Sequence, residues 1–261
     1  MILIRGAGDI ASGVALRLYR SGLTLAMTDL EKPTSIRRTV CFSEAILRGS
    51  CVVEDITAEK AISCEDAERI RQRGHIPVFV DDAGTILSML RPEAVVDARL
   101  AKVNLDTSIQ DAPVVVAVGP GFTAGKDCHA VVETQRGHYL GRVIYEGSAA
   151  PNTGVPGNIG GYTVERIIRA PKTGTFRPVR KIGDLVAANE IVAYVDEEPV
   201  TCRIDGTLRG ILPEGTHVHE GMKSGDVDPR CKPEHCLCAS DKALSVGGGV
   251  LEALMHFGYQ E

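Results

Sequence analysis

The sequence predicts an α/β protein in which a sheet of parallel strands, linked by crossovers, precedes a small all-β module. Three observations carry that reading. The chain opens on a strand, a glycine turn, a helix and a second strand that ends in an acidic residue. Strand-like apolar runs then alternate with helical or looped segments through residue 135. From Arg169 the pattern changes to short β segments that repeat at an offset of 32 residues.

The elements follow in order. Met1–Ile4 is an apolar strand run that passes at once into Gly6-Ala7-Gly8-Asp9-Ile10-Ala11-Ser12-Gly13. From Asp9 the apolar positions Ile10, Val14, Ala15 and Leu18 fall at helical spacing, and Gly22 stands where a helix ends in a left-handed residue. Leu23–Thr28 is the next strand, closing on Asp29, 23 residues after the first glycine. That is the order of a dinucleotide fingerprint in its G-x-G-x-x-A form, so this domain is expected to be Rossmann-like. Gly6 would make the tight turn and Gly8 would let a pyrophosphate approach the helix N-terminus, while Asp29 takes the ribose position. Asp9 departs from the pattern, because a carboxylate there repels a pyrophosphate unless it caps the helix. Arg37 and Arg38, just past the second strand, supply guanidinium forks for an anion. A glycine turn that serves packing alone, and a solvated arginine pair, are the plainer alternatives.

A helix is expected over Cys64–Arg73, closed by Gly74, with strands at Ile76–Val80, Ala94–Asp97 and Val114–Val118. The last of these runs into a second glycine loop, Gly119-Pro120-Gly121 through Gly125-Lys126, whose amide groups could form an anion nest. It is not a Walker A loop, since Asp127 follows the lysine. His129, Glu133 and His138 have the wrong spacing for a helical metal pair, and no metal is expected there. Residues 137–161 hold seven glycines in a long connection, and such connections are usually functional loops or linkers.

In the repeat, Ala170-Pro-Lys-Thr-Gly174-Thr-Phe-Arg177 aligns with Cys202-Arg-Ile-Asp-Gly206-Thr-Leu-Arg209, and the register continues without gaps to Asp196 and Asp228. This layout resembles the lipoyl/biotinyl carrier domains, the barrel-sandwich hybrid. Carriers hold their group on a lysine at the hairpin tip; here the tip is Asp196-Glu197-Glu198-Pro199, so a binding, spacing or dimerising role is expected instead. Cys231, Cys236 and Cys238, with His235 among them, lack a C-x2-C pair and are the candidates for any thiol chemistry. The expected division is a Rossmann-like domain over 1–165, the β module over 166–230, and a segment 231–261 whose helix packs back on the first domain.

Composition narrows the partners. The net charge is −5, tryptophan is absent and no long basic run occurs, which excludes a nucleic-acid surface built on phosphate neutralisation and base stacking. Eight cysteines in 261 residues are too sparse for a disulfide scaffold, and no apolar run approaches the ~20 residues of a membrane helix. A cytoplasmic protein with a small anionic ligand is expected. Of 28 glycines, 21 lie beyond residue 112, marking a turn-rich second half.

Taken together, Arg5-Gly-x-Gly-Asp-Ile-Ala-Ser-Gly13, Pro33-x-x-Ile-Arg37-Arg38-Thr-Val, Gly119-Pro-Gly-Phe-Thr-Ala-Gly125, Glu133-Thr-x-Arg-Gly-His-x-Leu-Gly-Arg142, Asp226-x-Asp-Pro-Arg230 and Ser240-Asp-Lys242 resemble the YqeB family of accessory proteins for selenium-dependent molybdenum hydroxylases, related to the XdhC/CoxI proteins. The resemblance implies a maturation factor that binds the molybdenum cofactor, a pterin dinucleotide, or a nucleotide in the first domain and serves an apo-hydroxylase as its protein client. The cofactor-binding candidates are Gly6, Gly8, Asp9, Asp29, Arg37, Arg38, Gly119, Gly121 and Gly125. An NAD(P)-dependent oxidoreductase is the alternative, against which no Tyr-x-x-x-Lys pair is present: Val143 stands four residues after Tyr139. A third reading has Cys231, Cys236 and Cys238 handle sulfur or selenium. Catalysis and homo-oligomerisation are left open.

Overall fold

The computed structural model describes residues 1–259, which form two compact units. Unit 1 comprises Met1–Pro33, Cys41–Thr153 and the stretch from Ala239 onward; unit 2 comprises Thr34–Val40 and Gly154–Cys238. The boundaries expected near 165 and 230 therefore fall at 153 and 238.

Unit 1 is built in chain order from β1 (Ile2–Arg5), α1 (Asp9–Arg20), β2 (Leu25–Asp29), α2 (Glu44–Arg48), β3 (Ser50–Val53), β4 (Ile56–Ala61), α3 (Cys64–Gln72), β5 (Ile76–Val80), α4 (Thr85–Leu90), β6 (Ala94–Asp97), β7 (Val114–Val118), β8 (Ala130–Val132) and β9 (Val143–Ile144). One nine-stranded sheet runs β3-β4-β5-β2-β1-β6-β7-β8-β9. The strands from β4 to β8 are parallel, while β3 and β9 pair antiparallel with their neighbours. Near-continuous apolar runs such as Val114–Val118 suit strands buried on both faces.

Unit 2 carries β10 (Ile167–Arg169), β11 (Gly174–Pro178), β12 (Leu185–Val186), β13 (Ile191–Val195), β14 (Glu198–Thr201), β15 (Gly206–Ile211), β16 (His217–Val218) and β17 (Lys223–Asp228). They make two antiparallel four-stranded sheets, β10-β17-β15-β12 and β14-β13-β11-β16. Phe176, Val192, Val195, Leu208, Val218 and Val227 fill the core. The repeat shows in its turns. A Cβ on Gly174 would run into the Asp196 side chain, and one on the equivalent Gly206 would lie 2.5 Å from the Asp228 carbonyl oxygen.

The fold expectation needs correction. A Rossmann-like parallel sheet joined to a barrel-sandwich hybrid gives way to a mixed nine-stranded sheet and two separate antiparallel sheets. The connections from β6 to β7 and from β7 to β8 contain no helix. Their residues do not allow one: Leu100 and Lys102 are left-handed, as are Gly119, Gly121 and Gly125, and the Asn104 side chain closes a turn on both backbone groups of Thr107. At the other edge the left-handed Glu54, followed by Asp55, returns β3 onto β4 as a hairpin, which only antiparallel strands permit.

The last helix, α5 (Asp241–His256), belongs to unit 1 and crosses α1 at close range. Ser240 caps its start through the Ala243 N–H. Among the described residues no helix is long and apolar enough to cross a membrane.

Candidate functional site

From β1 the chain moves outward to β2 and β5, then returns to the other side of β1 as β6. The loops beyond the carboxyl ends of β1 and β6 thus diverge, and such a reversal is where ligands settle in open α/β sheets.

The β1 turn is held from within the protein. Gly6 is left-handed at φ +101° and its N–H donates to the Thr28 carbonyl. The Ala7 N–H donates to Asp29 Oδ2 at 2.9 Å, and Leu30 N–H donates to Oδ1 at 2.8 Å. Burial pushes the Asp29 carboxyl up, partly offset by those two amides. Asp29 thus fastens the glycine turn through one oxygen and the chain just after β2 through the other, the two oxygens that a ribose would have taken. Gly8 is the α1 N-cap in an extended conformation and offers no side chain to cap the helix, and Asp9 puts a carboxylate in the first turn.

The loop after β6 lies over both glycine turns. A Cβ on Gly6 would fall 2.9 Å from the Ala98 carbonyl oxygen, and one on Gly121 2.6 Å from Val103 Cα. On Gly119 it would meet Thr134 Oγ1 at 2.9 Å and Leu100 Cδ2 at 3.4 Å. These three glycines, expected to face a cofactor, allow close approach of the chain to itself. Gly125 is a turn glycine at φ +82° with nothing near its missing Cβ.

Beneath that loop, Arg5 ends β1 and Asp97 ends β6 directly beside it. Asp97, 1% exposed, accepts from Thr107 Oγ1 at 2.6 Å and from Arg99 Nη2 at 2.6 Å. Arg5, 6% exposed at its side chain, donates through Nη1 to Thr107 Oγ1 at 2.9 Å, with Asp111 3.8 Å away. Its Nη2 reaches both Asp106 oxygens, at 2.8 and 2.6 Å, and Arg99 Nη2 also donates to Asp106 at 2.6 Å. Asp106 is half-exposed. Burial raises its carboxyl, but the bonds from Arg5 and Arg99 outweigh this and hold it below the usual range. Sequence reasoning missed these residues. Their one signal was Asp97-Ala98-Arg99 closing an apolar strand.

The arginine pair and the cysteine cluster lie in unit 2. Arg37 and Arg38 belong to its segment Thr34–Val40, and Arg37 Nη2 donates to the carbonyls of His235 and Cys238 at 3.2 and 3.4 Å. Cys236 is buried on a short 3-10 turn, and that burial pushes its thiol up against the offsetting charges of Arg37 and Arg209, which disfavours a thiolate. Cys231 and Cys238 are exposed. Among the described residues no three His, Cys, Asp or Glu side chains converge as metal ligands. His129 Nδ1 accepts from the Val115 N–H, and Glu133 accepts from Gln135 and Ala150 N–H, so both stabilise backbone.

Buried Asp228 faces three basic side chains. Burial pushes its carboxyl up, but the side-chain and backbone hydrogen bonds from Arg230, then the Arg230 and Arg209 charges, prevail and hold it at about 2. His235 Nδ1 stands 4.0 Å away. A carboxyl depressed on folding adds stability above its unfolded pKa of about 4 and loses it as the pH falls toward 2. Asp228→Asn should therefore flatten acid unfolding between about pH 4 and 2, as followed by circular dichroism; an unchanged acid limb would contradict the assignment.

No family model matches the chain. A curated relative, the uncharacterized protein YqeB of Escherichia coli (strain K12), is 53% identical over 260 residues, covering 100% of this chain and 48% of that protein. Over its whole length the chain is similar to YqeB. This supports the family resemblance read from the motifs, and the chain spans about half the length of the YqeB that it matches.

Two solved structures align with this YqeB-like chain. One is a succinylglutamate desuccinylase/aspartoacylase from Rhodobacter sphaeroides, at 17% identity and TM-score 0.24 over 55% of this chain and 60% of that one. The other is an aspartoacylase family protein from Mesorhizobium loti, at 12% identity and TM-score 0.27 over 87% and 84%. Likeness so slight carries no argument for a deacylase. The expectation of a molybdenum-hydroxylase maturation factor, with its oxidoreductase and sulfur-handling or selenium-handling alternatives, is corrected by the geometry of the residues expected to carry it. Within unit 1 the intended pyrophosphate cradle is covered by residues 98–103, Asp29 is committed to backbone, and in unit 2 the central thiol is buried.

Proposed function

We propose that unit 1 is a binding module for a small anionic ligand, held at the carboxyl ends of β1 and β6. The observation that carries this is the convergence of two guanidinium groups, Arg5 and Arg99, on one half-exposed carboxylate where the strand order reverses. Arg5 is fixed by Thr107 and Arg99 by Asp97, so both forks are preorganised before a ligand arrives. The α1 N-terminus at the same end of the sheet adds a positive end, which Asp9 tempers.

Calorimetric titration with acetate, phosphate and pyrophosphate tests this. A hydrogen bond to a charged group contributes about 1.5–3 kcal/mol, so Arg99→Gln should weaken binding by about tenfold or more. Binding unchanged in Arg99→Gln, or absent with all three anions, overturns the reading.

A further inference from the structure

We infer that the Arg5–Arg99 pair is a carboxylate-binding site that the chain occupies with its own Asp106. The inference rests on the anion-binding reading above and names the ligand class and the device that controls access. Among the described residues, the Asp106 carboxylate bonds to Arg5 and Arg99 and to nothing else. The other members of the network have second anchors. Thr107 is gripped by Asp97 and by the Asn104 side chain, and Arg99 is clasped by Asp97 through both Nε and Nη2. Rotation of one half-exposed side chain into water therefore vacates the position between the two forks without dismantling them.

Charge sets the class of ligand. Arg5 is buried and keeps only the more distant Asp111, at 3.8 Å, when Asp106 leaves, so another anion in the vacated place favours the exchange. Arg5 and Arg99 face Asp97, Asp106 and Asp111, which gives a net charge of −1. A monoanion with the planar, two-oxygen shape of a carboxylate exchanges one for one with Asp106. A dianion would take the cluster to −2. The left-handed Gly84 adjoins the site, with its missing Cβ 3.5 Å from Asp106 Oδ2 and 3.8 Å from Arg5 Nη2, so no side chain of its own stands between them and it. Asp106 thus acts as an intramolecular competitor, present at an effective concentration of about millimolar or more.

The test titrates acetate, with phosphate as the contrasting arm, into the full chain, Asp106→Ala, Asp106→Asn and Asp106→Ala/Arg99→Gln in chloride-free buffer. Asp106→Ala should bind acetate at least about tenfold more tightly than the unaltered chain, because the competitor is gone. Acetate should also raise the melting temperature of Asp106→Ala by more than that of the unaltered chain, and the double variant should lose both effects. Asp106→Asn keeps the side-chain shape without its charge and carries the same expectation should the alanine variant fold poorly. Equal acetate affinity with and without Asp106 overturns the stand-in role while leaving the anion site intact. Absence of binding in every variant overturns the anion site as well. A preference for phosphate over acetate in Asp106→Ala overturns the carboxylate class.

Discussion

Asp226→Ala should cost about 3–5 kcal/mol of stability, because it strands a buried guanidinium. Asp226 Oδ1 accepts from Arg166 Nη2 at 2.8 Å, with side chains 4% and 7% exposed, and Arg166 Nη1 donates to the Gly157 carbonyl. The pair lies where β10 meets β17, so its loss also loosens the long connection at Gly157. Arg166→Met combined with Asp226→Leu should recover most of the loss, since a buried ion pair and an apolar pair of similar volume are often close in energy. Urea unfolding of the full chain measures both. A loss below about 1 kcal/mol in Asp226→Ala would show that water reaches the arginine.

Gly13→Leu should be comparably severe in unit 1. A Cβ on Gly13 would overlap the Ala243 side chain and lie 2.8 Å from Ala243 backbone carbon, while Gly247 faces the Gly13 carbonyl oxygen equally closely. Even alanine tests this. Helix propensity favours Ala over Gly by about 1 kcal/mol, whereas overpacking costs about 1–3 kcal/mol, so Gly13→Ala should be net destabilising and Gly13→Leu should lose about 3 kcal/mol. Thermal unfolding and hydrogen exchange at α5 read the effect. A gain in stability for Gly13→Ala would mean that the helices can move apart at little cost.

Much of the local structure was legible. The strands at Ile76–Val80, Ala94–Asp97 and Val114–Val118 stand where apolar runs placed them, and Gly22 ends α1 at φ +83°. The repeat reappears as matched turns at Gly174 and Gly206. The antiparallel edges were not legible, because β3 and β9 are short and only partly buried, and their direction is set by turns rather than by periodicity. The site was hidden for a different reason. Glycine reports that something must come close, but not whether it is a phosphate or the chain's own backbone, and here Gly6 and Gly121 meet residues 98–103. Arg5 and Asp106 are 101 residues apart, and each looks like a solvated charge until the sheet places β1 beside β6.

The seam between α1 and α5 also bears on how the chain is made. Residues 9–20 pair with residues 241–256, so on the ribosome α1 waits for more than 200 residues before its glycine face is covered. Closing so long a loop is entropically mild, since the cost grows only with the logarithm of length. The delay is the greater burden: a half-made chain carries an apolar helix face with no partner, open to chaperones and to other nascent chains. Unit 2, complete by residue 238, can fold while its host is still unfinished.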